Sequence, residues 1–400
     1  MSARPPTFVA LQHRNYRLLW MGQLLSMSGS LMQSAAVLWH VTLLAPEHKA
    51  LALGLVGLVR VVPIVVFSMI GGVVADAWDR RRLMLVTQVL MTLCATALAV
   101  LTFRGLSSIW PLYVFTALSA AAGSFDSPAR QALVPALVPA EHLPNALSLN
   151  SLMFQAASVV GPALAGPVIA GFGVGSVYAL NAASFLAVIV SLLAMRDIPP
   201  REESGPKPEV SRAAAMEGLR FVFRSPLMRS TMLLDFFATF FSSATALLPL
   251  FAQDILRVGP HGYGLLYAAP AIGAVATGAA MARWEHKLQR RGRTLLWAVV
   301  VYGLATVVFG LSTSFALTFV CLAATGAADT VSMVLRNIIR QLGTPDRLRG
   351  RMTSVNMIFF MGGPQLGEFE AGVVARAVGP RFSVASGGLA CVVAAIATAL

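Results

Sequence analysis

Eight charged residues interrupt long apolar stretches of this sequence: Arg60, Asp126, Arg130, Asp235, Asp329, Arg336, Glu368 and Glu370. A charge taken out of water is costly, so it is held by a partner, a wet cavity or a proton. The chemistry open to such groups is proton loading and release, attraction of a charged ligand, or mutual pairing. Asp126 and Arg130 are four apart, on one helical face where a pair can form. They read either as a structural ion pair or as a proton or gate carboxylate tuned by its arginine. Asp235, in "MLLDFFATFF", has no charge within a turn on its own helix. It is either a proton carrier or a carboxylate snorkelling to the nearer face. Arg60 could attract an anionic substrate, hold a carboxylate such as Glu368, or snorkel outward. Glu368 and Glu370, two apart, cannot share a helical face. Glu368, just after Gly363-Pro364 and Gly367, is the better candidate to point inward.

Uncharged polar residues form a second set. Gln23, Ser26, Ser30 and Gln33 recur at helical spacing. With Trp39, His40, Asn150, Gln155, Asn181 and Asn356 they could line an apolar chamber with hydrogen-bonding groups, or serve as glue between helices. No G-x-x-x-x-G-K-[ST] or H-E-x-x-H string is present. Cys94, Cys321 and Cys391 lie in apolar runs without ligand or disulfide spacing. No metal and no cofactor are expected, and no paired nucleophile and base suggest an enzyme.

The elements that position these residues follow from composition. Of 400 residues 57% are hydrophobic and 12% charged, with a mean hydropathy of +0.73. Water-soluble domains carry about a quarter charged residues, so the chain belongs in a bilayer. The net charge of +13 then records orientation rather than nucleic-acid binding. Apolar runs long enough to span fall near 16–43, 51–75, 83–103, 109–135, 147–171 and 176–195. They resume near 228–251, 263–284, 294–312, 316–340, 351–376 and 383–400. The expected fold is an all-α membrane protein of twelve helices in two six-helix bundles, 1–195 and 228–400. Between them, 196–227 is a Pro-rich linker that becomes an amphipathic helix from about Glu209, with Leu219, Val222 and Phe223 on one side and Arg212, Glu217, Arg220 and Arg224 elsewhere.

Most of the 30 Lys and Arg fall on one side of this threading: Arg4, Arg14, Arg17, Arg80 to Arg82, Arg130, the central segment, and clusters around 283–293 and 336–351. Lys49, Arg104, Arg257, Arg376 and Arg381 fall on the other, with Arg60 in mid-span. Both termini are therefore expected in the cytoplasm. No cleavable signal peptide is expected, because the first apolar run is too long for one.

The halves repeat. "VVGPALAG" is answered by "FMGGPQLGE", so that Gly161-Pro162 matches Gly363-Pro364. Asp126 of "GSFD" is answered by Asp329 of "GAAD", which makes Asp329 a symmetric structural feature. Ser148 and Asn150 are answered by Ser354 and Asn356. "GGVVADAWDRRRLML" recurs in "ATGAAMARWEHKLQRRGRTLL", where Gly72 falls on Gly278 and the arginine run on Arg290, Arg291 and Arg293. Asp76 falls on Ala282, so the copy keeps the bases and loses the acid. Parallel repeats of six helices are a construction of secondary transporters, with the substrate site at mid-membrane.

"GGVVADAWDRRRLML" resembles the signature loop between spans 2 and 3 of the major facilitator superfamily, and "GPALAG" resembles its span 5 antiporter motif. "FRSPLMRS", "FDSPARQALVPALVPAEHLPNALSLNSL" and "GGPQLGEFEAGVVA" resemble the branch that contains the enterobactin exporter and related multidrug exporters. The resemblance implies a gating cluster: Gly72 as the small residue at a close helix approach, Asp76 as acidic anchor, and Arg80, Arg81 and Arg82 as closing cations. Asp79 stands where the superfamily pattern has glycine, and Ala77 where it has a base. Ser148, Ala157 and Ala165 replace span 5 glycines by other small residues.

What the resemblance implies is export of an amphipathic small molecule, a drug or a siderophore, exchanged for protons across a bacterial inner membrane. The partners would be that substrate, protons and the lipid bilayer, with no nucleic acid and a monomeric chain. The rival is an uptake or lipid-flipping carrier of the same fold; a non-transporting receptor or enzyme is disfavoured. The site residues are then Asp126, Arg130, Asp235 and Glu368 for proton coupling, and Gln23, Ser26, Gln33, Arg60, Asn150, Gln155 and Asn356 for the cavity. Gly161, Pro162, Gly166, Gly363, Pro364 and Gly367 would pack helices.

Overall fold

The computed structural model describes residues 8–196, 220, 223–284, 290–344 and 349–399, leaving aside the side chains of 68–73, 75–77, 244, 284, 349–351, 353–355 and 357–361. Most of the expected linker and its amphipathic helix, the side chain of Asp76 and the surroundings of Gly72 lie outside the described residues.

Where no water reaches the backbone, its polar groups must be satisfied within the segment. Among the described residues there are helices and no strands. The first six long helices are α1 (Arg14–Leu44), α2 (Lys49–Ala77), α3 (Arg80–Phe103), α4 (Trp110–Leu137), α5 (Leu143–Phe172) and α6 (Val174–Ala194). The second six are α7 (Pro226–Phe241), α8 (Gly259–Trp284), α9 (Arg291–Leu311), α10 (Phe315–Gly343), α11 (Arg349–Val378) and α12 (Pro380–Ala399). Among the described residues nine spans are long and apolar enough to cross a membrane by length and composition; one of them begins with α7 and runs on to Ile255, and the others lie on α2, α3, α5, α6, α8, α9, α10 and α12. The other three helices are α1, α4 and α11, which carry the Gln23–Gln33 series, Asp126 with Arg130, and Glu368 with Glu370.

Local chemistry sets the ends. The Asp79 carboxylate accepts from the Arg82 backbone N–H at 2.8 Å and starts α3. Ser225 does the same for α7 through the Met228 N–H. A single residue separates α5 from α6 and another separates α11 from α12. These are Gly173 at φ +80° and Gly379 at φ +94°, a left-handed conformation open to glycine. The expected span at 228–251 is not one helix. α7 stops at Ser242, and the chain continues through a 3-10 turn at Ala244–Leu247, a short α segment at Leu248–Leu250 and a π turn at Phe251–Ile255. Pro249 in this stretch has no N–H for a regular ladder.

Contacts divide the chain into two units, Met1–His40 with Val62–Pro206, and Val41–Val61 with Lys207–Leu400. The division therefore falls inside α1 and α2 rather than at the central linker alone. In unit 1, α3 packs on α4 and α6. In unit 2, α9 packs on α10 and α12, the repeat of that arrangement, while α7 packs on α11 and α12.

Each unit has its own core: Tyr16, Leu83, Met84, Leu133 and Val188 in the first, Leu234, Leu295, Leu335 and Cys391 in the second. The polarity is inverted relative to a soluble protein. On α3, Val86, Val89, Leu90 and Leu93 are exposed while Thr87 and Gln88 are buried. Gln23, Ser26, Gln33, Asn181, Asp235, Arg336 and Glu368 are buried as well. Apolar faces of this extent suit lipid rather than water.

Candidate functional site

In unit 2, small residues bring a carboxylate into the interior. A Cβ on Gly367 would meet the Phe240 carbonyl, and one on Gly363 the Thr239 hydroxyl, so α11 lies directly on α7. On the other side α2 approaches as closely, Gly54 meeting Gly372 backbone to backbone. A Cβ on Gly57 would sit 2.8 Å from Glu368 Cβ and 3.1 Å from its Oε2. Between these close crossings Glu368 is 8% exposed, and its Oε2 has no hydrogen-bond partner among the described residues.

Arg60, one turn beyond Gly57, is the cation near Glu368 and near the hydroxyl of Tyr267 on α8. The buried Gln365 Oε1 is also without a partner. Glu370, two residues on, is half-buried. The sequence thus anticipated two members of this cluster, Arg60 and Glu368, while Tyr267 and Gln365 were missed. The spacing of Gln365 three before Glu368 was the available signal.

The second centre of unit 2 is an ion pair across helices. Arg336 Nη1 of α10 lies 2.6 Å from Asp235 Oδ1 of α7, each side chain 3% exposed. Nη2 of the same arginine is 3.7 Å from Asp329 Oδ1. Arg340, buried one turn further along α10, hydrogen-bonds Asn337. Asp235 is therefore neither isolated nor snorkelling. Its partner comes from another helix, which spacing along α7 could not reveal.

Unit 1 uses the same residue types differently. Asp126 and Arg130 share a face of α4 but do not pair. Asp126 Oδ1 accepts from Thr87 Oγ1 and Gln88 Nε2 of α3, both at 2.9 Å, and Arg130 Nη1 donates to Gln23 Oε1 of α1 at 2.8 Å. Neutral donors and acceptors on neighbouring helices reach each group before the other does.

Most of the polar series joins helices rather than facing open space. Gln33 Oε1 accepts from Asn181 Nδ2 at 2.8 Å, and His40 Nδ1 meets the Tyr178 hydroxyl at 3.1 Å. The Tyr16 hydroxyl reaches Asn150 Oδ1 at 3.0 Å. Ser26 is buried. Gln155 and Asn356 are half-buried, and the Asn356 Oδ1 has no hydrogen-bond partner among the described residues. Gly161 sits against the Ser28 carbonyl and Leu31 of α1, beside buried Pro162 and Gly166. This is the counterpart of Gly363 with half-buried Pro364 and of Gly367 against α7.

The arginine run after α2 caps other helices. Arg80 Nη1 donates to the Ala132 carbonyl near the end of α4 at 2.6 Å, and Arg81 Nη2 to the Leu193 carbonyl of α6 at 3.2 Å. The Leu193 carbonyl is one of the last four of α6, so Arg81 satisfies an orphan acceptor there, while Arg80 adds a donor to a carbonyl inside the last two turns of α4. Arg82 is exposed. Among the described residues no group of three His, Cys, Asp or Glu could hold a metal ion.

Apolar-faced helices with charges gathered inside, in two internally similar sets, are the build of a multi-pass membrane transporter. A family model described as transmembrane secretion effector matches residues 6–400, and the chain belongs to that family, within the major facilitator superfamily. The enterobactin exporter EntS of Citrobacter koseri is 30% identical over 287 residues, 72% of this chain and 68% of that protein. The enterobactin exporter EntS of Escherichia coli O1:K1 is 29% identical over the same shares. Among solved structures, an inward-facing bacterial homologue of the human lysosomal transporter Spinster has a TM-score of 0.76 at 15% identity, covering 99% of this chain and 97% of its own. A bacterial homologue of the iron transporter ferroportin has a TM-score of 0.71 at 18% identity, over 96% and 98%. These two likenesses concern the fold.

Proposed function

We propose that the protein exports an amphipathic small molecule, a siderophore or drug, in exchange for protons across a bacterial inner membrane. Both termini lie in the cytoplasm, and a single chain is the working unit. Its covalent halves, 1–195 and 228–400, are joined by the linker 196–227. The observation that carries this reading is Glu368: buried, with an unpartnered Oε2, and near Arg60. A carboxylate in such a place binds a proton or an ionic partner rather than stay charged and alone. Arg60 is then the alternative partner, drawn to Glu368 when the proton leaves and released to an anionic substrate group when it returns. Substrate and proton stabilise different access states, and alternation follows from that differential affinity. The similarity to enterobactin exporters supports the cargo class.

Asp126, Arg130 and Asp235 stay in the proposal as secondary proton candidates, and Gln23, Ser26, Gln33, Asn150, Gln155 and Asn356 as groups that become accessible in another state. Gly72, Asp76 and Asp79 to Arg82 form the gate, with Asp76→Asn expected to impair transport while membrane insertion persists. The deciding measurement is substrate-stimulated proton flux in everted vesicles, using enterobactin and a panel of amphipathic drugs. Glu368→Gln should abolish flux while the protein remains in the membrane. Flux unaltered in Asp126→Asn, Asp235→Asn and Glu368→Gln alike would refute the carboxylate mechanism.

A further inference from the structure

Unit 1 carries a cavity of about 570 Å³ lined by His13, Arg14, Asn15, Leu137 and Arg196. It lies where the start of α1 meets the ends of α4 and α6. Two guanidinium groups on a surface of five residues make its character cationic. Among the described residues neither the Arg14 nor the Arg196 side chain has an ion-pair partner. Both are exposed.

Hydrogen bonds fix the backbone that carries these residues. Asn15 Nδ2 donates to the Arg196 carbonyl at 2.6 Å, and its Oδ1 accepts from the Arg196 N–H at 3.3 Å. This two-point clamp fixes the backbone of one arginine beside the residue next to the other. His13 Nε2 shares a 2.8 Å hydrogen bond with His142 Nδ1, so the cavity wall is tied to the turn before α5. Glu141 is turned to His142 Nε2 at 3.7 Å.

Carbonyl ends of helices would repel an anion here, but cations already bond carbonyls of the two helices whose ends meet at the cavity. The Ala132 carbonyl of α4 accepts from Arg80 and the Leu193 carbonyl of α6 from Arg81. What remains at the cavity is donor-rich and positive, with room for a tetrahedral anion and the group that bears it. Arg is suited to such an anion because its planar fork donates two parallel hydrogen bonds to phosphate oxygens.

We propose that this cavity is a binding site for a phosphate group held between Arg14 and Arg196. The phosphate belongs either to an anionic lipid headgroup or to a soluble phosphate compound. The site is separate from the proposed transport carboxylate, which lies in unit 2, so either idea can fail alone.

The test uses the full chain purified in a non-ionic detergent. Native mass spectrometry reads retention of phosphatidylglycerol against phosphatidylcholine, and calorimetric titration with inorganic pyrophosphate reads the soluble source. Arg14→Gln/Arg196→Gln should weaken binding of the productive probe about tenfold or more, the loss of at least one charge-assisted hydrogen bond. Arg17→Gln, which removes an equal charge one turn along α1 but outside the cavity lining, should change it less than about twofold. Arg14→Lys/Arg196→Lys keeps the charge that orients the chain but loses the forked donors, and should bind more tightly than the double glutamine variant and more weakly than wild type. Selective retention of phosphatidylglycerol assigns the site to lipid; pyrophosphate binding without it assigns the site to a soluble ligand. The proposal is overturned if neither probe binds the wild-type chain, if Arg17→Gln weakens binding as much as the double glutamine variant, or if the lysine variant, folded, binds no better than the double glutamine variant.

Discussion

Asp126 in unit 1 and Asp235 in unit 2 are both buried acids on helices that also face, or lie against, an arginine, and they are wired oppositely. Asp126 accepts from a threonine and a glutamine, and the nearby Arg130 donates to another glutamine. Asp235 meets Arg336 directly at 2.6 Å, with Asp329 on the same guanidinium at 3.7 Å. A neutral network survives the loss of one charge with its hydrogen bonds largely intact. A buried ion pair does not, because the survivor is left uncompensated. Repeated sequence has thus produced one unit whose interior charges are individually insulated and another in which they depend on each other.

The largest effect expected from this difference is at Arg336. Arg336→Met leaves Asp235 and Asp329 without their cation and should cost about 3–5 kcal/mol. The loss would be read as a fall in the melting temperature of the purified protein. Asp235→Leu/Arg336→Met should be more stable than the sum of the two single losses, the coupling expected of groups in contact. Strict additivity would mean that the pair holds nothing, and the contrast with unit 1 would dissolve.

Next in size are the helix crossings, where the units should behave alike. Gly161→Ala places a methyl against the Ser28 carbonyl in unit 1, and Gly367→Ala places one against the Phe240 carbonyl in unit 2. Backbone cannot move aside as a side chain does, so each should cost about 1–3 kcal/mol. Unfolding of the two variants in the same detergent gives the comparison. A loss confined to one would show that only one unit depends on close backbone contact at its helix crossing.

How much of this could be read beforehand depended on the range of the interaction. Twelve apolar runs, the glycine–proline repeat and the inward preference of Glu368 follow from spacing along one helix, and those elements were legible. The partner of Asp235 lies a hundred residues away on α10, and no periodicity within α7 reaches it. Asp126 and Arg130 show the converse. Their i, i+4 spacing is correct for a pair, yet Thr87, Gln88 and Gln23 compete for the same atoms from neighbouring helices. The π turn at Phe251–Ile255 was hidden because apolar residues continue through it, and only Ser242, Ser243 and Pro249 hint at the break. The Asp79 departure from the superfamily loop pattern was visible as a residue, but its work as the cap of α3 was not.

A smaller effect is expected where the insulation of unit 1 is tested directly. In Asp126→Asn the amide oxygen still accepts from Thr87 and Gln88, so stability should fall by no more than about 1 kcal/mol. Transport should persist under the proposal that Glu368 carries the coupling proton. Asp235→Asn, the same change in unit 2, should destabilise visibly more because Arg336 then lacks its nearest charge. Equal melting shifts in the two variants would erase the distinction between neutral and ionic wiring.

The smallest effect lies at the rim of unit 2, where an ion pair and a neutral hydrogen bond can be weighed within a few residues of each other. Lys49 Nζ lies 3.0 Å from Asp254 Oδ1, with side chains 23% and 51% exposed, while Gln253 Nε2 donates to Thr42 Oγ1 at 2.7 Å. Water and salt reach the first pair, so Lys49→Gln should cost only about 0–1 kcal/mol. That cost should shrink further as ionic strength rises from low salt to about 1 M, where the screening length is near 3 Å. Gln253→Ala removes the half-buried neutral bond to Thr42 and a longer one, at 3.4 Å, accepted from Lys49, and should cost about 1 kcal/mol with less dependence on salt. A salt-insensitive Lys49→Gln effect larger than that of Gln253→Ala would mean the rim pair is shielded, and that unit 2 relies on ionic contacts at its edge as it does at Arg336.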